Sequence, residues 1–225
     1  AAGSISDLAH VNRVQGLALG AGAIVGLGGS RVQIRPSVGY GTSDGRITGA
    51  LSVTAGQGAT QVSLGASRRI RDLSDLKVIA PATNSILSQE SGDDHGDYVL
   101  LNAAELGLRH RLSGRTSLSL GLGVEESQSV TASASPASGD YRPNPALGSG
   151  TRRVARLEFE RASGGIAVRR DLQGRVSVEA GEGAGDYLRG TAEGRWLVRL
   201  GGTELLSRIY LGAGSNGLPS YRSFV

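Results

Sequence analysis

The chain has no cysteine, no methionine, one tryptophan, six tyrosines and two phenylalanines in 225 residues, and Lys77 is its single lysine. Without cysteine there is no disulfide framework, no thiolate metal site and no cysteine nucleophile. No run of about 18 apolar residues occurs, which excludes a transmembrane helix. No basic start followed by an apolar stretch and a cleavage site marks a signal peptide. The opening Ala1-Ala2-Gly3 reads as a processed chain or a piece of one. Glycine is plentiful, with 36 residues, about twice the usual share. Each glycine costs about 1 kcal/mol against alanine inside a helix, so a helical fold is disfavoured. Glycine follows no collagen-like period, and a hydrophobic fraction of 39% is too high for plain disorder. The formal net charge of +4 is almost all arginine, spread along the chain with Glu or Asp between. A nucleic-acid partner, which calls for a clustered basic face, is not expected.

What the chain has instead is alternation with a period of two, the mark of strands with one apolar face. Leu17, Leu19, Ala21, Ala23, Val25 and Leu27 alternate with Ala18, Gly20, Gly22, Ile24 and Gly26. Similar runs follow at 32–40, 47–54 and 61–67, joined by turn-forming segments such as Thr42-Ser43-Asp44-Gly45 and Gly56-Gln57-Gly58. The pattern resumes at 98–111, 117–125, 151–170 (one long, glycine-interrupted strand), 176–180, 188–200 and 205–211, giving ten strands in all. Most are longer than the usual five or six residues of soluble sheets. Their length suits tilted transmembrane strands of about 9–11 residues. One face is Leu, Val, Ala and Gly; the other is small, polar or charged with mixed signs. The fold class expected is all-β, an antiparallel transmembrane β-barrel of the outer-membrane type.

The connections come in two sizes. Long ones span about 70–96, with a short helical turn expected around Asp72 to Val78, and about 127–150, which is rich in Ser, Ala, Pro and Gly. Both fall on one side, the extracellular side of a bacterial barrel, while Leu112-Ser113-Gly114-Arg115, Asp171-Leu172-Gln173-Gly174 and Gly201-Gly202-Thr203 form short turns on the other. Counting strands places residues 1–11 and 214–225 both on the long-loop side. A complete barrel begins and ends in the periplasm, and ten strands leave two open edges that hydrocarbon does not tolerate. Residues 1–225 are therefore expected to be one incomplete barrel domain, with at least one strand before it and an odd number after it.

The outward face supplies Tyr40, Tyr98 and Trp196 as candidates for the membrane interface. The inward face would line a lumen with Glu105, Arg109, Arg111, Arg156, Glu158, Glu160, Glu179, Arg189, Glu193, Arg195 and Arg208. Mixed signs there give cross-strand pairs of about 0.2–1 kcal/mol each, in either a hydrated pore or a polar filling. The one cluster resembling a catalytic or metal site is Asp93-Asp94-His95-Gly96-Asp97, because carboxylates beside a histidine can activate water or hold a divalent ion. All of its members lie in one loop, which reads better as a solvated acidic turn. Gly212-Ala213-Gly214-Ser215-Asn216-Gly217 fits a dinucleotide fingerprint in letters only, because no helix follows it. No cofactor, metal or catalytic residue is expected.

Asn12-Arg13-Val14-Gln15-Gly16-Leu17-Ala18-Leu19-Gly20 resembles the barrel-entry stretch of the bacterial surface antigen superfamily, which includes the barrel-assembly insertase and the two-partner secretion transporters. The segments Asp186-Tyr187-Leu188-Arg189, Glu193-Gly194-Arg195-Trp196-Leu197, Leu200-Gly201-Gly202 and Tyr210-Leu211-Gly212 are similar to a later strand pair of the same barrels, and Leu218-Pro219-Ser220-Tyr221-Arg222-Ser223 to the stretch that leads into a long loop with an Arg-Gly motif. The resemblance implies a sixteen-strand barrel with periplasmic domains upstream, in contact with outer-membrane lipid. Its role would be insertion or translocation of polypeptide or lipid at the bacterial outer membrane, without enzymatic activity. The alternatives are a ten-strand barrel hydrolase or protease using Asp93, Asp94 and His95 at its rim, and a soluble glycine-rich β-sandwich or adhesin.

Overall fold

Alternation puts successive side chains on opposite faces of an extended backbone, and a chain that alternates almost throughout becomes a sheet. The computed structural model describes residues 9–27, 29, 31–73, 79–162, 170–200, 203–219 and 222. It contains β1 (Ala9–Asn12), β2 (Gly16–Gly22), β3 (Val25–Leu27), β4 (Val32–Gly41), β5 (Ile47–Gln57), β6 (Thr60–Asp72), α1 (Pro81–Ser91), β7 (Tyr98–Arg111), β8 (Thr116–Ser129), β9 (Gly150–Arg161), β10 (Arg170–Gly183), β11 (Tyr187–Leu200) and β12 (Thr203–Gly214). The protein is all-β, a single antiparallel sheet in the order β1-β2-β4-β5-β6-β7-β8-β9-β10-β11-β12, with β3 paired to β4. Apart from β2 and β3, which both pair with β4, each strand pairs with its neighbour in sequence, and β1 and β12 do not meet, so the sheet is open.

Five local features differ from the sequence reading. The expected strand from Leu17 to Leu27 is split into β2 and β3. In the register that pairs Gly22 with Ser37 and Val25 with Ile34, Pro36 stands opposite Ala23. Proline has no N–H to give the ladder, and Ala23 N–H reaches Pro36 O at 3.0 Å without a return bond. A further strand, β1, pairs Ala9 with Leu19 and Asn12 with Gly16. Residues 9–11, expected at the long-loop rim, therefore run along the sheet toward that rim; residues 1–8 lie outside the described residues. The turn expected at Asp171-Leu172-Gln173-Gly174 is strand, since Asp171 pairs with Leu197 and Gln173 with Arg195. The strand expected over 151–170 ends at Arg161 instead.

The helical turn expected at 72–78 is the fifth. Asp72 closes β6, and residues 74–78 lie outside the described ones. The helix comes later, at α1. Pro81 opens it with a preset φ, and Gly92 ends it at φ 77°, the left-handed cap that glycine tolerates. Its side chains are mostly polar, and hydrogen bonds fix it in place: Ser85 Oγ accepts from Val11 N–H at 3.2 Å, and Ser88 Oγ meets Tyr141 OH at 3.1 Å.

Leu73, residues 79–97 and residues 130–149 fold over one end of the sheet and bury the start of β7 on both faces. Tyr98 and Leu100 pack with Val14, Val130 and Ile70, while Val99 and Leu101 on the opposite face pack with Leu73 and Leu147. Elsewhere burial is inverted. Leu64, Leu106, Leu122 and Ile209 are 49–63% exposed, whereas Glu179 and Arg152 on the other face are 3% and 5% exposed.

Candidate functional site

The polar face of β7–β12 carries the charged side chains, and the pairing register puts Glu105, Arg109, Arg111, Arg156, Glu158, Glu160, Glu179, Arg189, Glu193, Arg195 and Arg208 all on it. Glu179 lies at the centre. It accepts 2.9 Å and shorter hydrogen bonds from the Arg156 guanidinium and one of 2.6 Å from Tyr187 OH. Arg156 also reaches Glu105 at 3.5 Å. That pair joins β9 to β7 across β8, where Gly121 leaves the way open: a Cβ there would lie 3.2 Å from Glu105 Oε1. Gly181 plays the same part for Tyr187, since a Cβ at Gly181 would fall 2.1 Å from the ring. The ring thus lies flat on the backbone of β10 with its hydroxyl on Glu179.

Two further groups share the face. Arg109 bonds Glu160 and Ser117 Oγ, both at 2.9 Å, and Arg175 spans Glu158 and Glu160 at 3.5 and 3.6 Å. Arg195 and Arg208 both hold Glu193, at 3.0 and 2.9 Å, and Arg189 donates to Tyr210 OH at 3.5 Å. Arg111, at the end of β7, stands apart from these groups and is exposed.

The sequence reading did not find the residue that completes the central group. Just beyond β12, Ser215 N–H extends the ladder to Leu188 O at 2.9 Å, Leu218 N–H closes a turn on Ser215 O at 3.1 Å, and Arg222 lies on the polar face. Arg222 Nη2 binds both carboxylate oxygens of Glu125 at 2.6 and 2.7 Å, and its Nε lies 3.2 Å from Glu179. Burial alone would lower the Arg222 pKa, but Glu125 and Glu179 outweigh it and raise the value. Arg222 thus stays charged and ties the segment after β12 to β8 and β10. Alternation could have flagged Glu125, Tyr187 and Arg175; Arg222 lies outside any alternating run.

At the rim, Asp94 is nearly fully buried and ties three segments together. Its oxygens accept from Asn84 Nδ2 (3.0 Å), Gly96 N–H (3.0 Å), Tyr98 OH (2.8 Å) and Arg13 N–H (2.7 Å). Arg13, also buried, reaches Asp97 at 2.5 Å and Asn144 at 3.2 Å, and sits 5.6 Å over the Tyr98 ring. Asp93 and His95 point away and are exposed; Asp93 takes a hydrogen bond from Ser91 Oγ at 2.7 Å. The structure therefore does not bring Asp93, Asp94 and His95 together, and no cluster able to hold a metal ion is present among the described residues. Tyr98 is corrected as a membrane-interface candidate: it is buried beneath Val14 and Val130, with its hydroxyl on Asp94. Tyr40 and Trp196 stand on the apolar face, 47% and 51% exposed.

No protein-family model matches the chain, and no curated protein matches it.

Proposed function

We propose that the chain is part of an outer-membrane β-barrel of the surface-antigen kind, which inserts or translocates protein or lipid at the bacterial outer membrane. The observation that carries the membrane reading is the inversion of the two faces. Leucine, valine and isoleucine are exposed from β2 to β12, while Glu125, Glu179, Arg152 and Asp171 are buried on the other side. In water this arrangement is unfavourable twice over, since about 25 cal/mol is forgone for each Å² of apolar surface left wet and buried charge must be desolvated. Against hydrocarbon the apolar face is at no disadvantage, and the polar face faces a hydrated interior. Hydrocarbon does not tolerate the open edges of β1 and β12, so the proposal includes further strands that close the barrel. The role in insertion or translocation rests on the resemblance of 12–20 and 186–223 to the surface antigen superfamily. No enzymatic step is part of the proposal.

The single tryptophan makes the membrane reading testable. Trp196 lies on the apolar face toward the short-turn end, paired with Leu172 and Ser207. In phospholipid vesicles, bromine on the acyl chains should quench its fluorescence strongly, and aqueous acrylamide only weakly. The reverse ranking in folded protein would overturn the membrane reading.

A further inference from the structure

The polar face is not uniform. From β7 to β12 it is a lattice of paired charges. From β1 to β6 it presents His10, Ala18, Gly20, Arg35, Ser37, Gly39, Thr48, Ser52, Ser63, Ser67, Arg69 and Arg71, with no carboxylate among them. The sequence behind it is equally one-sided: Asp44, in a turn, is the only acidic residue between 9 and 71. This half of the sheet curls around a hollow of about 570 Å³ that spans from His10 and Ala18 across Arg35 and Thr48 to Arg69. That volume is within the range of about 300–1,000 Å³ usual for small-molecule sites.

Its walls are built to stay open. A Cβ on Gly39 would fall 2.7 Å from Thr48 Oγ1, and Gly20, Ala18 and Ala50 add little bulk. Two arginines line it. Arg35 donates only to the neutral Gln33 at 2.9 Å, and neither Arg35 nor Arg69 has a carboxylate partner among the described residues. A cleft lined by one sign of charge between low-dielectric walls concentrates its field on a counter-ion. The planar guanidinium matches phosphate oxygens two at a time, and Thr48 and Ser52 add hydroxyl donors.

We infer that the open hollow lined by β1–β6 is a binding site for a phosphate group, held by Arg35 and Arg69. The phosphate would come from a phospholipid headgroup or from free phosphate. The lipid source rests on the membrane reading above; the site itself does not. Across β7–β12, by contrast, Arg109, Arg156, Arg175, Arg195 and Arg208 are each ion-paired with a glutamate.

The test uses the full chain folded in a neutral detergent, with folding checked by circular dichroism. Inorganic phosphate and dihexanoylphosphatidylglycerol are titrated separately by calorimetry into wild type, the Arg35→Gln/Arg69→Gln double variant and Arg109→Gln, which alters only the paired half. Wild type and Arg109→Gln should bind at least one probe, and the double variant should bind it about tenfold more weakly or not at all, as expected for loss of charge-assisted bonds. Binding of the lipid but not phosphate assigns the headgroup as the source; binding of phosphate alone assigns the free ion. No binding of either probe by folded wild type, or equal binding by the double variant, overturns the inference. Brominated-lipid quenching of Trp196 together with no phosphate binding would sink this site and leave the membrane reading standing. Phosphate binding without quenching would do the opposite.

Discussion

Single residues on the polar face differ widely in what they carry, and the difference is burial. Arg222 and Glu125 form a two-point contact, and their side chains are 3% and 9% exposed. Removing one member of such a pair strands a buried charge, so Glu125→Gln should destabilise the fold by about 3–5 kcal/mol. Arg111→Gln, on an exposed side chain of the same face, should change stability by no more than about 0.5 kcal/mol. Denaturant titration of the detergent-folded chain, followed by Trp196 fluorescence, checks both. Equal effects would mean that Arg222 does not hold Glu125 in solution. Glycine can matter as much as charge. Gly181→Ala would drive a methyl group into the Tyr187 ring, at a cost of about 1–3 kcal/mol for overpacking. In a Tyr187→Ala background that cost should vanish, so a double-mutant cycle should report a coupling of similar size. Additive effects would show that the ring does not rest on Gly181.

At the scale of elements, most of the sheet was legible because most of it alternates, and the misreadings fall where alternation is too short or is overruled. β1 offers only Ala9 and Val11 against His10 and Asn12, which is too brief a run to read without its partner β2. Asp171-Leu172-Gln173-Gly174 has the composition of a turn, yet Leu172 alternates with Asp171 and Gln173, and the long run of β11 draws the segment into the ladder. α1 has no apolar stripe, so only Pro81 and Gly92 marked it in the sequence. Of the functional face, the alternating charges were readable and Arg222 was not, because a contact between residues 97 positions apart leaves no local signal. The depletion of acidic residues over 9–71 was readable, but its meaning depended on β1–β6 curling into one hollow. The rim connections are a unit of their own. Asp94 joins 13–15, α1 and the start of β7 through four hydrogen bonds, so Asp94→Ala should loosen them together. Hydrogen exchange should rise at 13–15, 84–98 and 130–144 and stay unchanged at the centres of β8–β10. Asp93→Ala and His95→Ala, on exposed side chains, should leave exchange as in wild type. Fast exchange confined to 92–97 in the Asp94 variant would show that the three segments are held separately.

At the scale of the whole molecule, the decisive quantity is the environment of the apolar face, because every strand from β2 to β12 contributes to it. A charge placed on that face reports its surroundings directly. Leu122 sits at mid-strand in β8, paired with Leu106 and Ala155; Leu118 lies nearer the short-turn end, beside His110 and Phe159. If the face meets hydrocarbon, Leu122→Arg should cost about 2–4 kcal/mol on folding into phospholipid vesicles, and Leu118→Arg about 0–1 kcal/mol, because the penalty falls with distance from the bilayer midplane. If the face meets water, both substitutions put a charged side chain on a wet surface and should stay within about 0.5 kcal/mol of wild type. The gradient along a single strand separates the two cases better than either variant alone, since misfolding from poor packing would not follow depth. Equal costs at the two positions, large or small, would remove the membrane as the solvent of this face. The exposed leucines would then need a protein partner to cover them.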